Sequence, residues 1–269
     1  MPAPILLIGA GRMGGALMRG WVSKKIGPII AVDNHPSPEL KAFAKQHHVA
    51  LFPAVANIDT VRARACVVAL KPQILKDELP SLKPVAQSGA LMLSIAAGTG
   101  LAAMTRAWGR GARILRAMPN TPGSVGRGIT ALHAGKSATA KDKALAESLL
   151  ATLGATLWVK HERDIDTVTA VSGSGPAYVF LMAEALADAA EAEGLPRVQA
   201  EQLARATITG AGALLDSDST PPAELRRNVT SPKGTTEAAL KVLMAKNGLP
   251  PLIRRAVAAA RRRGAELGR

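Results

Sequence analysis

The sequence predicts an α/β fold, a doubly wound parallel sheet followed by an all-helical domain. Three observations predict it. The apolar run Ile5–Ile8 leads straight into the pattern Gly9, Gly11, Gly14 and then into helical periodicity. Up to about residue 162, short apolar runs alternate with amphipathic stretches, as in a βαβ chain. From about residue 163 no strand pattern is found, and only the helical period remains. The chain therefore reads as a Rossmann-type dinucleotide-binding domain over 1–162 and an all-helical domain over 163–269.

Ile5–Ile8 has the composition of a buried strand. After it, Gly9 would make the tight turn. Gly11 would admit a pyrophosphate to the backbone, and Gly14 would let the helix pack closely on the strand. The anion would rest on unpaired amides at the positive end of that helix. Ile29–Val32 is the second strand. Asp33 ends it at the spacing of a ribose-binding carboxylate, about 20 residues beyond the glycines.

Pro38–His47 reads as a helix and Val49–Leu51 as a short third strand. Cys66–Leu70 is a continuous apolar strand, stopped at Pro72, which has no amide to donate. Leu91–Ile95, Ile114–Ala117, Gly128–His133 and Thr156–Val159 complete the strands, with helices over Leu101–Trp108 and Ala138–Leu153. Loops 9–14, 69–73, 94–98 and 117–122 all fall at strand carboxyl ends, where such sheets bind ligands.

The second half reads as helices over Asp164–Val171, Pro176–Glu193, Arg197–Ser217, Ala223–Asn228, Thr235–Asn247 and Leu252–Leu267. Pro176 suits a first helical turn, and Gly194 the position just past a helix end. The alanine-rich helices Pro176–Leu195 and Arg197–Leu215 lack a clear polar face, the mark of burial on several sides. So short a domain cannot cover them alone, and a second subunit is expected to complete them.

Composition narrows the function. Cys66 is the only cysteine of 269 residues, which excludes an internal disulfide and a cysteine-cluster metal site. It reads as a buried strand residue rather than a nucleophile. His47, His48 and His133 carry no ligand spacing, and no metal is expected. The net charge of +14 raises a nucleic-acid partner. Aromatic residues are only 3% of the chain and no nucleic-acid motif accompanies the charge, so attraction of anionic metabolites is the better reading. No apolar run reaches the roughly 20 residues of a membrane helix, and Ile5–Ile8 is too short for a signal core. A cytoplasmic protein with no membrane or nucleic-acid partner is expected.

Thr230–Glu237 breaks the helical pattern and restarts it. Two readings stand for this stretch. Its amides could bind a carboxylate or phosphate at the next helix N-terminus. Alternatively it is an ordinary capped helix with Ser231 or Thr235 as cap.

Several stretches together carry a resemblance: the Gly9–Gly14 turn, Val68–Gln73, Ser94–Gly98, Arg116–Pro122, Ser172–Tyr178 and Val229–Thr236. With these the chain resembles the pyrroline-5-carboxylate reductases, nearly end to end. The resemblance implies hydride transfer from NADPH or NADH to the C=N carbon of pyrroline-5-carboxylate, giving proline. It implies that Thr236 is catalytic, hydrogen-bonding the imine nitrogen, while Ser231, Lys233, Gly234 and Thr235 hold the substrate. Glu162 matches a position lining the active site. Ala10, Arg12, Met13, Asn34, Asn57, Ala69, Leu70, Lys71, Pro72, Ala97 and Asn228 fall with Gly9, Gly11, Gly14 and Asp33 at cofactor-binding positions. A homodimer through the helical dimerisation domain is implied, with a larger ring-like assembly allowed.

One departure is Lys233, where the family has glycine. It either strains the loop or adds a cation beside the substrate. Asp33 leans towards NADH, because a carboxylate repels a 2′-phosphate, whereas the family allows NADPH. Two alternatives remain. A hydroxyacid dehydrogenase of similar layout would need a helix lysine, and none lies between Pro176 and Glu193. A cofactor-sensing or basic nucleic-acid-binding protein would lack the reaction altogether.

Overall fold

The computed structural model describes residues 2–58 and 62–267. Two compact units form, Met1–Gly173 with Ala260–Arg269, and Ser174–Ala259. The last helix therefore starts in one unit and ends in the other.

Among the described residues the first unit carries eight strands: β1 (Ile5–Ile8), β2 (Ile29–Val32), β3 (Ala50–Phe52), β4 (Ala65–Val68), β5 (Leu91–Ser94), β6 (Arg113–Met118), β7 (Gly128–Ala134) and β8 (Gly154–Trp158). They form one sheet in the order β3-β2-β1-β4-β5-β6-β7-β8. Every residue of β1, β4 and β5 is buried, because helices cover both faces. Alternate side chains supply two separate cores. Ile5 and Leu7 join Trp21 and Leu149 on one face, and Leu6 and Ile8 join Leu82 and Trp108 on the other. Both buried indoles are satisfied, Trp21 Nε1 donating to the Leu149 carbonyl and Trp108 Nε1 to that of Leu79, each at 2.8 Å. Burial pushes the Cys66 thiol up, which keeps it protonated and unreactive.

The helices of this unit are α1 (Arg12–Ser23), α2 (Pro38–Gln46), α3 (Pro72–Glu78), α4 (Lys83–Gln87), α5 (Leu101–Trp108), α6 (Ala140–Leu150) and α7 (Asp164–Val168). Ser37 caps α2, and Thr139 with Asp142 makes a capping box on α6. Two features differ from the sequence expectation. All strand pairings are parallel except β6 with β7, which is antiparallel. Residues 119–127 between them are too few for the dozen or so that a parallel crossover needs. Pro72 also does more than end a ladder. It opens α3, where a missing amide costs nothing, and α3 and α4 fill a segment read only as a strand end.

The second unit is helical: α8 (Gly175–Ala192), α9 (Arg197–Ser217), α10 (Pro222–Asn228), α11 (Thr235–Leu243) and the first part of α12 (Leu249–Leu267). Gly194 takes φ +99° after α8, as its expected end position requires. Arg197 then ties α9 to α8 through Asp188 and Glu191 and pairs with Glu201 on its own helix. Ala187, Ala200 and Ala204 are the hydrophobic residues of this unit that are buried, among those described.

Candidate active site

The special loops of the first unit share one end of the sheet. Gly9 stands at φ +88°, and a Cβ there would lie 2.9 Å from the Ala69 carbonyl oxygen. A Cβ on Gly14 would overlap the Gly9 carbonyl oxygen, so α1 sits directly on the turn. Gly11 differs from both: a Cβ there would meet nothing within 4 Å. Its side of the backbone is open, as approach by a pyrophosphate requires. The first amides of α1 have no partner within the helix, which leaves those of Gly11, Arg12 and Met13 for an anion. The cradle fits a dinucleotide.

The Ala10 amide is already engaged. It donates to Asp33 Oδ2 at 2.8 Å, while the His35 amide donates to Asp33 Oδ1 at 2.9 Å. Asp33 thus ties the glycine turn to the end of β2. Each carboxylate oxygen keeps a free lone pair, so ribose hydroxyls can still donate to it. Asn34 is exposed beside it, and Asn57 is exposed in the 3-10 turn Val55–Asn57 that follows β3. Ala69, Leu70 and Lys71 lead out of β4, and the Ala69 amide donates to the Ile8 carbonyl at 2.8 Å. Pro72 begins α3, and its side chain lies outside the described part of the structure. Ala97 lies in the β5–α5 loop. The sheet order brings these expected cofactor residues together at the ends of β2, β1, β4 and β5.

Glu162 lies in this unit as well, just before α7. Its Oε1 accepts from the Leu101 amide at 2.6 Å and from Arg116 Nη1 at 2.7 Å. The Arg116 side chain is 7% exposed. Sequence reading passed over Arg116. The available signal was a charged residue inside the run Ile114-Leu115-Arg116-Ala117, since a buried charge demands a partner. Ser172 and Gly173 belong to a π-helical turn, Thr169–Gly173, and a Cβ on Gly173 would press on Met118 Cε at 2.8 Å.

The remaining expected residues lie in the second unit, around the start of α11. Asn228 ends α10, and its side chain is exposed. The turn that follows places Gly234 so close to Ser231 that a Cβ would overlap Ser231 Oγ. The Gly234 amide donates to the Ser231 carbonyl, and the Lys233 amide donates to Glu237 Oε2 at 2.9 Å. Gly234 is the N-cap of α11 and no side chain caps the helix. The expected caps Ser231 and Thr235 do not act as such. The amides of Thr235, Thr236 and Glu237 are left for an anion. Thr236 is half-buried, and its hydroxyl has no hydrogen-bond partner among the described residues.

Lys233 stands at φ +60°, the left-handed region. A non-glycine residue there costs roughly 1–2 kcal/mol, partly offset because glycine is freer in the unfolded chain by roughly 0.5–1 kcal/mol. Lys233→Gly is therefore expected to raise the melting temperature by about 2 °C. A lower melting temperature would mean that the lysine side chain makes up for the strain.

These features define a class, an oxidoreductase with a Rossmann-type dinucleotide domain and a helical second domain. A family model for pyrroline-5-carboxylate reductase dimerisation matches residues 162–267, and one described as NADP oxidoreductase, coenzyme F420-dependent, matches residues 4–98. The pyrroline-5-carboxylate reductase of Pseudomonas aeruginosa is 40% identical over 268 residues, covering 98% of this chain and 96% of that protein. A solved pyrroline-5-carboxylate reductase from Coxiella burnetii superposes with TM-score 0.90 at 36% identity, covering 98% of each chain. A Plasmodium falciparum pyrroline carboxylate reductase with NADP bound superposes with TM-score 0.84 at 28% identity, covering 99% of this chain and 98% of that one. The chain belongs to the pyrroline-5-carboxylate reductase family.

Proposed function

We propose that this chain reduces 1-pyrroline-5-carboxylate to L-proline with NADH or NADPH, the last step of proline biosynthesis. The observation that carries the reading is the uncapped start of α11, with free amides beside the unpartnered Thr236 hydroxyl, in a chain of this family. When bound, the reduced nicotinamide supplies the hydride.

The chain's own residues do the rest. The amides of Gly11, Arg12 and Met13 hold the pyrophosphate and Asp33 and Asn34 the adenine-side ribose. Asn57, Ala69–Pro72 and Ala97 complete the cofactor site in the first unit. The Thr235 amide and its neighbours, with Ser231 and Lys233, hold the substrate carboxylate. The protonated ring nitrogen donates to Thr236 Oγ1. An iminium is already activated for hydride attack, so positioning and fixed dipoles suffice and no strong acid is needed. That agrees with a turn offering hydroxyls and amides rather than a histidine–carboxylate pair. The hydroxyacid dehydrogenase alternative lacks support, because α8 contains no lysine. Incubation with the imine and a reduced cofactor should yield proline in equal amount to the cofactor oxidised. Failure of both cofactors would overturn the reading.

Asp33 favours NADH. A carboxylate beside a 2′-phosphate costs on the order of 1–2 kcal/mol, about tenfold in kcat/KM. Asp33→Asn removes the charge and keeps an oxygen for the Ala10 amide. The ratio of kcat/KM for NADPH to that for NADH should rise about tenfold. A wild type that already prefers NADPH, with no change on substitution, would mean the carboxylate serves only the turn.

The helical unit works as a homodimer. Phe180 and Val198 are 67% and 77% exposed, and a groove of about 820 Å³ between α8 and α9 is lined by Val179, Phe180, Ala183, Val198 and Ile208. A soluble chain seldom leaves so much apolar surface uncovered. Light scattering should show twice the chain mass of 27.8 kDa, or a multiple of the dimer if dimers join into a ring. A stable monomer at micromolar concentration would contradict this.

A further inference from the structure

The loop that joins β5 to α5, residues 95–100, carries Ala97 at the cofactor end of the sheet. Its far end is held by one carboxylate. Glu162 Oε1 accepts from the Leu101 amide at 2.6 Å, at the first turn of a helix whose N-cap, Gly100, supplies no side-chain bond. The same oxygen accepts from Arg116 Nη1 at 2.7 Å. Glu162 therefore acts as a remote cap on α5, and a carboxylate there is favoured by the helix dipole. Arg116 projects from β6, the neighbour of β5, and its near-complete burial gives the guanidinium little freedom. A Cβ on Gly100 would lie 3.3 Å from Glu162 Oε1, so the glycine lets the carboxylate come this close. On the other side of the loop, Gly98 stands at φ +76° with the Leu267 carbonyl against it, leaving little room to shift.

We propose that Arg116 is a positioning residue for the cofactor, acting through Glu162 to fix the β5–α5 loop. The proposal rests on the reading that the first unit binds a nicotinamide dinucleotide. It assigns Glu162 a task beyond lining the active site. Arg116 does not touch the cofactor. It holds Glu162, Glu162 holds Leu101, and the loop with Ala97 is thereby set against the loops that follow β1 and β4.

The test uses the full chain and the variants Arg116→Met, Arg116→Lys, Glu162→Gln and Gly100→Ala. Cofactor dissociation constants are read from nicotinamide fluorescence without imine, and amide exchange at Leu101 is followed in the cofactor-free protein. Arg116→Met and Glu162→Gln should each weaken cofactor binding about tenfold and speed Leu101 exchange, with the KM for the imine unchanged in Arg116→Met. Arg116→Lys should recover part of the loss, and the Arg116→Met/Glu162→Gln double variant should be no worse than either single one, since both break one unit. Gly100→Ala disturbs the same contact from the α5 side and serves if Arg116→Met does not fold. Unchanged cofactor binding with a lower melting temperature would overturn the proposal and leave a merely structural pair. A rise in imine KM alone with Glu162→Gln would overturn it in favour of a direct substrate contact. A wild type that binds cofactor without reducing the imine would sink the proposed reaction while leaving this test intact.

Discussion

Gly14→Ala is expected to lower kcat/KM for the reduced cofactor about a hundredfold. The added Cβ would overlap the Gly9 carbonyl oxygen and approach Ala69 Cβ at 3.2 Å. Neither neighbour can yield, since one is backbone held at φ +88° and the other follows a buried strand. The helix must lift off the turn by about 1 Å, and an error of that size in placing a reactant costs about 10²-fold. Gly11→Ala separates fold from function at the same loop. Its Cβ meets nothing within 4 Å, so the melting temperature should not move while cofactor binding weakens. Thermal melts and cofactor titrations of both variants check this. Wild-type cofactor kinetics in a folded Gly14→Ala variant would contradict it.

Thr236→Ala should lower kcat by about tenfold or more, the equivalent of losing one hydrogen bond of about 1.5 kcal/mol to the reacting nitrogen. Its hydroxyl bonds to no described residue, so removal breaks nothing inside the protein and stability should hold. Thr236→Ser keeps an oxygen and should retain most of the rate. Steady-state kinetics on the three proteins decide the matter. Equal kcat values across them would remove Thr236 from the mechanism.

The central strands were legible because a sheet covered on both faces leaves unbroken apolar runs, as in Ile5–Ile8 and Leu91–Ser94. Leu101–Trp108 and Arg197–Ser217 form helices with the bounds read from the sequence. The glycine turn was legible for a different reason. Close approach leaves no residue but glycine at positions 9 and 14. Strand direction escaped because apolar pattern is the same in a parallel and an antiparallel strand. Only the short link 119–127 tells that β7 reverses. The pairing of Arg116 with Glu162 escaped because 46 residues separate them, and sequence shows no such pairing. The double duty of Asp33 and the left-handed backbone of Lys233 likewise come from how the turns close, not from residue type.

Direct hydride transfer to the imine carbon is the step on which the proposed function rests. Reduced cofactor deuterated at the transferring position of the nicotinamide C4, mixed with 1-pyrroline-5-carboxylate and the full chain, tests it most directly. The expected product is proline with one deuterium on the ring carbon that was doubly bonded to nitrogen. Proline formed without the label, or label retained in the cofactor while no proline appears, would contradict it.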